Sequence, residues 1–484
     1  MSSWNIKLNN LRVFYYITFL LLFFQTFVIY FAKGTYANIP IYAFCIYAIG
    51  ILLLLNLKKS MLYVSKLLKL PTVRTQVLFV VISLLVSLLH IFMGHYTSVF
   101  FYYLFCFIKF YTYFIGIYFF ILIAPLFKVK TRSLIRLFYY GILIIYIVAV
   151  IQYLSYILNI TFIQNIINFI TNERQTLYQF FGSYETYQKN LRVFSLFREP
   201  SVASEFIFIT MPFIINLSKL HVKLFKHKIL DKTIKILMPV LMFAVLFLAK
   251  SPIFIILCLI EFFILIAKKY FNFIKQHLVS LLVIFLALIS IMIYFFLTPE
   301  NIEALVPEFV LKRIKVTIDC FGNYDLLAWK EASLATRIYS YMNQFLIFMH
   351  FPLIGAGLYN SEAYVATHII NNPLPMTEEN MYQTFINAGF TGINRCLAYE
   401  LLSDLGIIGA ICYINFVARH IITAKRLLKI IDPKEYYFLY SVWQSLILIS
   451  IISFYNLSFK NLPLIWIIFA FVSLYLYGTK YRIR

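Results

Sequence analysis

Long apolar runs separated by shorter polar segments repeat along nearly the whole chain of 484 residues. A helix needs roughly 20 apolar residues to cross the ~30 Å hydrocarbon layer of a membrane. These runs are continuous rather than alternating, which favours helices over the strands of a membrane barrel. The pattern predicts an all-α polytopic protein with about twelve spans, at 13–32, 38–57, 76–94, 100–126, 136–158, 201–218, 236–250, 252–267, 278–297, 396–420, 436–454 and 462–478. The seventh and eighth are short, and a re-entrant pair is the alternative interpretation.

Two long hydrophilic segments interrupt this pattern and divide the chain. Residues 159–200 and 298–395 separate three groups of predicted helices: five within 1–158, four within 201–297 and three within 396–484, where a short tail follows. We expect both segments to fold into short helices that cap a cavity open to water and to lipid. The pattern therefore predicts helical bundles joined by two large loops.

Composition excludes a soluble globule. The chain is 62% hydrophobic, 19% aromatic and only 13% charged, and so much apolar surface is typical of a protein embedded in lipid.

Lys and Arg are retained on the cytoplasmic side during membrane insertion, and this sets the predicted orientation. With a cytoplasmic N-terminus, more than half of the 42 Lys and Arg fall in cytoplasmic segments. Both termini are then cytoplasmic and both large loops face outward. The formal net charge of +23 is explained by attraction to anionic lipid headgroups, and nothing in the chain resembles a nucleic-acid-binding module.

The end of the first large loop has the residues of an anion site. Arg192, Arg198 and Glu199 come just before the sixth predicted span, and Pro200 and Ser201 fit the first turn and the cap of a helix. Guanidinium groups bind phosphate oxygens in a bidentate way, and helix amino ends favour negative charge. The alternative is that Arg198 and Glu199 pair with headgroups and with each other.

The string from Arg192 to Ser201, R-x-x-S-x-F-x-E-P-S, resembles the signature that precedes a membrane helix in the O-antigen and capsular polysaccharide polymerase family. Further along, Lys250 and Ser251 resemble the family's Ser-Arg at the outer end of a helix, with lysine beside the serine. The order of these pieces along the chain supports the resemblance more than any one of them does.

Two later pieces continue the resemblance. Ser333 and Arg337, followed by residues 352–357, resemble the family's S-x-x-x-R and P-x-x-G-x-G. Gly355 and Gly357 follow a proline there, which predicts a turn with unusual backbone angles. Residues 400–409 resemble its closing E-x-G-I-x-G. The superfamily also includes O-antigen ligases, which carry a His-Asn pair shortly before this last motif; Arg395 and Cys396 stand there instead. An earlier Glu379-Asn380 is the alternative counterpart.

The resemblance implies a bacterial inner-membrane enzyme that joins glycans carried on polyprenyl diphosphate at the outer, periplasmic face. It implies a fold like that of GT-C-type multi-span glycosyltransferases, a lipid-linked donor and acceptor, and a chain-length regulator and a flippase as partners. The alternatives are an O-antigen ligase and, from another class, a flippase. A flippase is expected to place cations within the bundle and to show related halves, and no internal repeat is evident.

The implied chemistry requires cations at the departing diphosphate and a base at the acceptor hydroxyl. We expect catalytic roles for Arg192, Arg337 and Glu199, with His350, His368 and Glu379 as other candidate bases and a purely structural Glu199 as the alternative. The candidate substrate-binding residues are Arg198, Ser201, Lys250, Ser333, His350 and Arg395. No metal-binding motif is present in the sequence, so we expect a reaction without metal or cofactor.

Some polar residues fall inside or near predicted spans. His90 and Glu261 lie near span ends, and we expect both side chains to reach towards water. Glu205 lies one turn beyond Ser201, where we expect it to support Arg198. Such residues in spans usually face a protein interior or a cavity.

Overall fold

The computed structural model describes residues 2–23, 28–30, 38–54, 57–92, 111–171, 193, 195–197, 200–249, 332–358, 361, 396–454 and 463–481. This part of the chain is mainly helical, and its strands form one antiparallel ribbon, in which β1 (Val28–Tyr30) pairs with β2 (Asn38–Pro40). Numbered in chain order, the α-helices are α1 (Ser2–Leu21), α2 (Ile41–Leu54), α3 (Leu57–Leu68), α4 (Pro71–Phe92), α5 (Tyr118–Leu122), α6 (Thr131–Ile157), α7 (Thr161–Thr171), α8 (Pro200–Ile215), α9 (Lys228–Leu248), α10 (Ala332–His350), α11 (Leu397–Leu427), α12 (Pro433–Ile452) and α13 (Pro463–Lys480). A π-helical turn (Thr112–Ile117) precedes α5, and 3-10 turns occur at Ala124–Phe127 and Leu217–Lys219.

Six helices among the described residues are long and apolar enough to cross a membrane. They are Pro71–His90, Thr131–Ile157, Val202–Lys219, Leu397–Leu427, Pro433–Ile452 and Pro463–Lys480. The protein is therefore membrane-embedded and mainly helical, as its composition predicts. The predicted spans at 252–267 and 278–297 lie outside the described residues.

The helices differ from the predicted spans in places. The first apolar run is helical only up to Leu21, and a strand begins at Val28 within the same run. The helix at the seventh predicted span, α9, begins eight residues earlier than that span, at Lys228, and it is not one of these six helices. Both large loops contain helix, α7 in the first and α10 in the second, as we expected.

Hydrogen bonds between α8 and α12 fix their relative direction. The Ser445 hydroxyl donates to the Ile209 carbonyl at 2.7 Å, and the Ser441 hydroxyl donates to the Pro212 carbonyl at 3.0 Å. Residue numbers rise along one helix as they fall along the other, so the two helices are antiparallel. The first turn of α8 therefore lies beside the last turn of α12.

The start of α11 lies at the same end of the bundle. The Ala398 N–H donates to the Ser453 carbonyl, just past α12, at 3.0 Å. Helix α4 is antiparallel to α11, because Thr72 near its start shares a hydroxyl cluster with His420, and its last turns contact residues that bind the first half of α11. Four helix ends, the starts of α8 and α11 and the ends of α4 and α12, thus lie together.

The two ends of the bundle differ in charge. Glu205, Glu400 and Asp404 are buried in the first turns of α8 and α11, and we call this the acidic end. The opposite end carries the lysine-rich turn at 219–228, and we call it the basic end. The charge bias of the sequence predicts that the acidic end faces outward.

A polar cluster joins four helical elements inside the basic half. The Tyr118 hydroxyl lies 2.6 Å from the Ser473 hydroxyl and 3.1 Å from His420 Nε2, and the Ser473 hydroxyl donates to Thr72 at 2.7 Å. His420 Nδ1 donates to the Phe416 carbonyl at 2.8 Å, which leaves Nε2 as an acceptor for a hydroxyl. Buried polar groups that satisfy one another in this way fix helix positions.

Candidate functional site

Helix α11 is broken at Gly406. This residue has φ 62° and ψ −166°, so α11 consists of two helical pieces joined at a kink. In an unbroken helix, the N–H groups of Ile407 and Ile408 would donate to the carbonyls of Ser403 and Asp404. The break frees two donors and two acceptors, which need other partners because buried backbone groups are almost always paired.

Residues 352–357, which follow α10, bond all four groups. Their N–H groups bond the freed carbonyls at 2.8 Å each, and their carbonyls bond the freed N–H groups at 2.9 and 3.2 Å. The pairs are Ala356–Ser403, Gly357–Asp404, Ile407–Pro352 and Ile408–Leu353. We call this arrangement the backbone interlock. It joins residues 352–357 to residues 400–409, the two segments that resemble the family's P-x-x-G-x-G and E-x-G-I-x-G, although this chain has Asp404 two residues before Gly406.

The interlock requires glycine on both sides. Gly355 and Gly406 have φ of 66° and 62°, a region that side chains disfavour. A Cβ on Gly355 would lie 2.5 Å from the Asp404 carbonyl oxygen, and one on Gly406 would lie 2.6 Å from the Gly355 nitrogen. Backbone meets backbone there, so neither neighbour can move aside. The predicted need for unusual backbone angles at Gly355 and Gly357 (φ 91°) is confirmed.

Helix α4 supports the interlock from its other side. His90 Nε2 lies 2.8 Å from the Gly355 carbonyl, and since a carbonyl only accepts, Nε2 carries the hydrogen. The Ser87 hydroxyl accepts the Leu358 N–H at 3.0 Å. His90 is only 1% exposed, so our expectation that it reaches towards water is wrong. Its bond to a buried backbone carbonyl holds it in the bundle.

Buried carboxylates lie beside the interlock. Glu400 and Asp404 are one turn apart on α11 and are each 1% exposed. Asp404 Oδ1 accepts the Ser361 N–H at 3.3 Å. Glu205 of α8 is also fully buried at this end. Burial of a carboxylate is costly unless it is paired, so three of them at one end of an apolar bundle indicate a polar site.

The motif of the first large loop is held by a second set of bonds at the acidic end. Ser195 has φ 55°; its N–H donates to Gln152 Oε1 at 2.9 Å, and its hydroxyl donates to the Ile145 carbonyl at 2.6 Å. The Val193 N–H donates to the Leu248 carbonyl at 3.0 Å. Leu248 comes two residues before Lys250, so this bond joins the chain next to Arg192 to the chain next to the second motif piece.

An apolar cavity lies beside this turn, between α1, α8 and α13. Its walls include Leu22, Phe23, Phe197, Phe206 and Leu464. Phe197 belongs to the R-x-x-S-x-F-x-E-P-S string. With a volume of about 10 Å³ it has no more room than a single water molecule needs, so it is a small gap in the apolar packing rather than a ligand pocket.

The predicted site residues are described to different extents. Arg192, Arg198, Glu199, Lys250 and Arg395 lie outside the described residues, as do His368 and Glu379 among the other candidate bases and Glu261 and Asn380. Pro200 is the first residue of α8, as predicted, which makes Ser201 its second residue rather than its cap. Ser333 and Arg337 lie in the first turns of α10, and His350 is its exposed last residue.

Several residues of this end were missed by sequence reasoning. Gln152, Glu400 and Asp404 each occur as a polar residue inside an apolar run, which is the signal that finds them. That signal alone does not say which partner each has. The stacked rings of Tyr341 and Tyr399, with centroids 5.1 Å apart, also join α10 to α11 near this end.

Within the described part of the chain, no group of three or more His, Cys, Asp or Glu residues could hold a metal ion. The residues at the acidic end are instead suited to hydrogen bonding and proton transfer. Comparison with known proteins adds no family: no family model matches the chain, and no curated protein matches it.

Proposed function

We propose that the protein is a membrane glycosyltransferase that polymerises polyprenyl-diphosphate-linked oligosaccharide repeat units into O-antigen or capsular polysaccharide at the outer face of the cytoplasmic membrane. The observation that carries this proposal is the backbone interlock. It brings two motif segments, about 50 residues apart, into contact at the acidic end. The Val193–Leu248 bond brings the chain next to the other two motif pieces to that same end.

The proposed reaction has a defined proton and charge balance. The acceptor hydroxyl oxygen bonds to the anomeric carbon of the donor, and the bond from that carbon to the diphosphate oxygen breaks. The hydroxyl proton passes to a carboxylate, and the diphosphate leaves with the electron pair. We assign proton acceptance to Glu199 and charge neutralisation to Arg192 and Arg337, because guanidinium binds diphosphate oxygens in a bidentate way. We also assign a supporting role to Glu205, which is buried in the second turn of α8.

One observation weighs against the ligase alternative. Cys396 occupies a position where ligases carry a residue of their His-Asn pair, and it is buried here with its thiol donating to the Ser453 carbonyl at 3.2 Å. That contact joins α11 to α12. A residue committed to helix packing does not supply the missing polar pair, which favours polymerase chemistry.

The test is to incubate the purified protein in detergent with the host's polyprenyl-diphosphate-linked repeat unit and to separate the products by size. A ladder of lengthening glycans supports the proposal. Unchanged single units, from protein shown to be folded by its thermal transition, would contradict it. Transfer of the unit to a non-prenyl acceptor would favour the ligase, and movement of intact units across vesicles would favour the flippase.

A further inference from the structure

In the turn between α8 and α9, at the basic end, buried apolar side chains alternate with exposed polar ones. Leu220, Val222 and Leu224 are each at most 5% exposed and pack into the core, whereas His221 and Lys223 between them project outward. The alternation is what an extended segment lying on a packed surface produces. The backbone that carries the outward-facing residues is therefore held at a fixed position.

Side chains from two helices bond the backbone of this turn. Asp231 Oδ1 accepts the N–H groups of Leu224 at 2.6 Å and Phe225 at 3.1 Å, and Lys235 Nζ donates to the carbonyls of Leu220 and Val222 at 3.0 and 3.3 Å. The Tyr140 hydroxyl of α6 donates to the Leu224 carbonyl. These bonds hold the turn against the first two turns of α9, and we call them the turn clamp.

The turn clamp includes the carboxylate of this region, whereas most of the lysines lie outside the clamp. Asp231 is the single carboxylate between residues 219 and 235, and its ion pair is with Lys235, at 3.2 Å. The lysines of this stretch that lie outside the clamp are all exposed. They are Lys219, Lys223, Lys226, Lys228 and Lys232.

An exposed aliphatic stripe runs along α9 beside the last of these lysines. Ile229, Ile236 and Val240 are 71%, 62% and 60% exposed, and their spacing of seven and four residues puts them on one face of α9. Lys232, one turn before Ile236, lies beside this stripe. A cationic group at the end of an apolar helix face marks the depth at which headgroups meet acyl chains.

We propose that the clamped turn and the α9 stripe form a binding site for an anionic phospholipid. Its phosphate would lie among Lys223, Lys226, Lys228 and Lys232, and its acyl chains would lie along the stripe. A diffuse positive surface attracts any anion in proportion to net charge. A site held by the turn clamp instead depends on the positions of the cations. This difference distinguishes a specific lipid site from diffuse attraction. The inference does not depend on the proposed enzymatic function.

The experiment titrates dioleoyl phosphatidylglycerol into the purified full-length protein in an uncharged detergent, and counts retained lipids by native mass spectrometry. Phosphatidylcholine is the neutral reference. The site variant replaces the four site lysines by Gln. The matched control replaces four exposed lysines elsewhere, Lys69, Lys425, Lys429 and Lys434, by Gln, so both variants lose the same charge from exposed positions.

A third variant separates placement from net charge. Asp231→Asn keeps every lysine and removes a negative charge, so diffuse attraction predicts tighter phosphatidylglycerol binding. A site that depends on the turn clamp predicts weaker binding, because Asn cannot accept both backbone N–H groups as strongly as a carboxylate. The two explanations therefore predict opposite signs for one substitution.

We expect wild type and the control to retain phosphatidylglycerol over phosphatidylcholine with affinities within about twofold of each other. We expect the site variant to bind at least about tenfold more weakly and Asp231→Asn to bind more weakly than wild type. Equal losses in the site and control variants, or tighter binding by Asp231→Asn, would overturn the proposal. Displacement of the lipid by millimolar inorganic phosphate would overturn its assignment to a lipid.

Discussion

Replacement of Gly406 by Ala tests the backbone interlock. In place, an alanine would adopt a backbone conformation reserved for glycine, at a cost of about 1–3 kcal/mol, with its Cβ 2.6 Å from the Gly355 nitrogen. Alternatively α11 would become continuous. This change loses the four hydrogen bonds of the interlock and regains two within the helix. At about 1 kcal/mol for each bond, the net loss is about 2 kcal/mol. The higher helix propensity of Ala returns about 1 kcal/mol of this loss.

Either route weakens the interlock, and hydrogen exchange detects it at two amides. Ala356 and Gly357 donate to α11 at 2.8 Å each, so their exchange requires the segment to undock. A loss of about 1–2 kcal/mol speeds this exchange roughly five- to thirtyfold. Gly50→Ala is the matched control, because Gly50 lies in α2 and a Cβ there meets nothing within 4 Å. Equal protection of both amides in Gly406→Ala and Gly50→Ala would refute the reasoning.

The remaining predictions concern charge and chemistry. Arg192→Ala or Arg337→Ala should abolish the glycan ladder while the protein still inserts into membranes; near-normal polymer from both variants would remove the diphosphate role. Glu199→Gln should slow chain extension at least about 100-fold, and a wild-type rate would leave Glu199 only a structural role. Activity should survive chelators, and a strict need for a divalent metal would contradict the proposed chemistry. Burial raises the pKa of Asp231, which precedes the predicted span, but bonds from Phe225, Lys235 and Leu224 outweigh it and lower the pKa overall. The stability this carboxylate contributes is then present above its unfolded pKa of about 3.9 and is lost as pH falls through the lower folded pKa. At neutral pH, the midpoint temperature of thermal unfolding should be lower for Asp231→Asn than for wild type, and the two midpoints should converge in acid. A difference between the midpoints that is constant with pH would count against the turn clamp.

Hydrophobic runs predicted most helices because lipid-facing and core-facing positions are both apolar in a membrane protein. The same property hid helix ends. The first run continues past Leu21, where α1 ends, because a strand at Val28–Tyr30 is also apolar. Helix α9 begins at Lys228, before its apolar part, because Asp231 and Lys235 bond the preceding turn. Nothing in hydropathy signals those bonds.

The acidic end was predictable in part. Glycines after a proline predicted an unusual turn at Gly355 and Gly357, and the break at Gly406 was not predicted because a glycine inside an apolar run also suits close helix packing. His90 was misjudged since sequence gives its depth but not its partner, the Gly355 carbonyl. Its distance from Gly355 along the chain makes such a bond invisible to local patterns.

The most direct test of the central claim uses sealed, right-side-out membrane vesicles that contain the protein and the polyprenyl-diphosphate-linked repeat unit. The measurement is the size distribution of glycans that a membrane-impermeant hydrolase can cleave without detergent. We predict a ladder of long glycans, fully accessible from outside and absent from vesicles with Arg192→Ala protein. Single units alone, or a ladder cleaved only after the vesicles are permeabilised, would contradict polymerisation at the outer face.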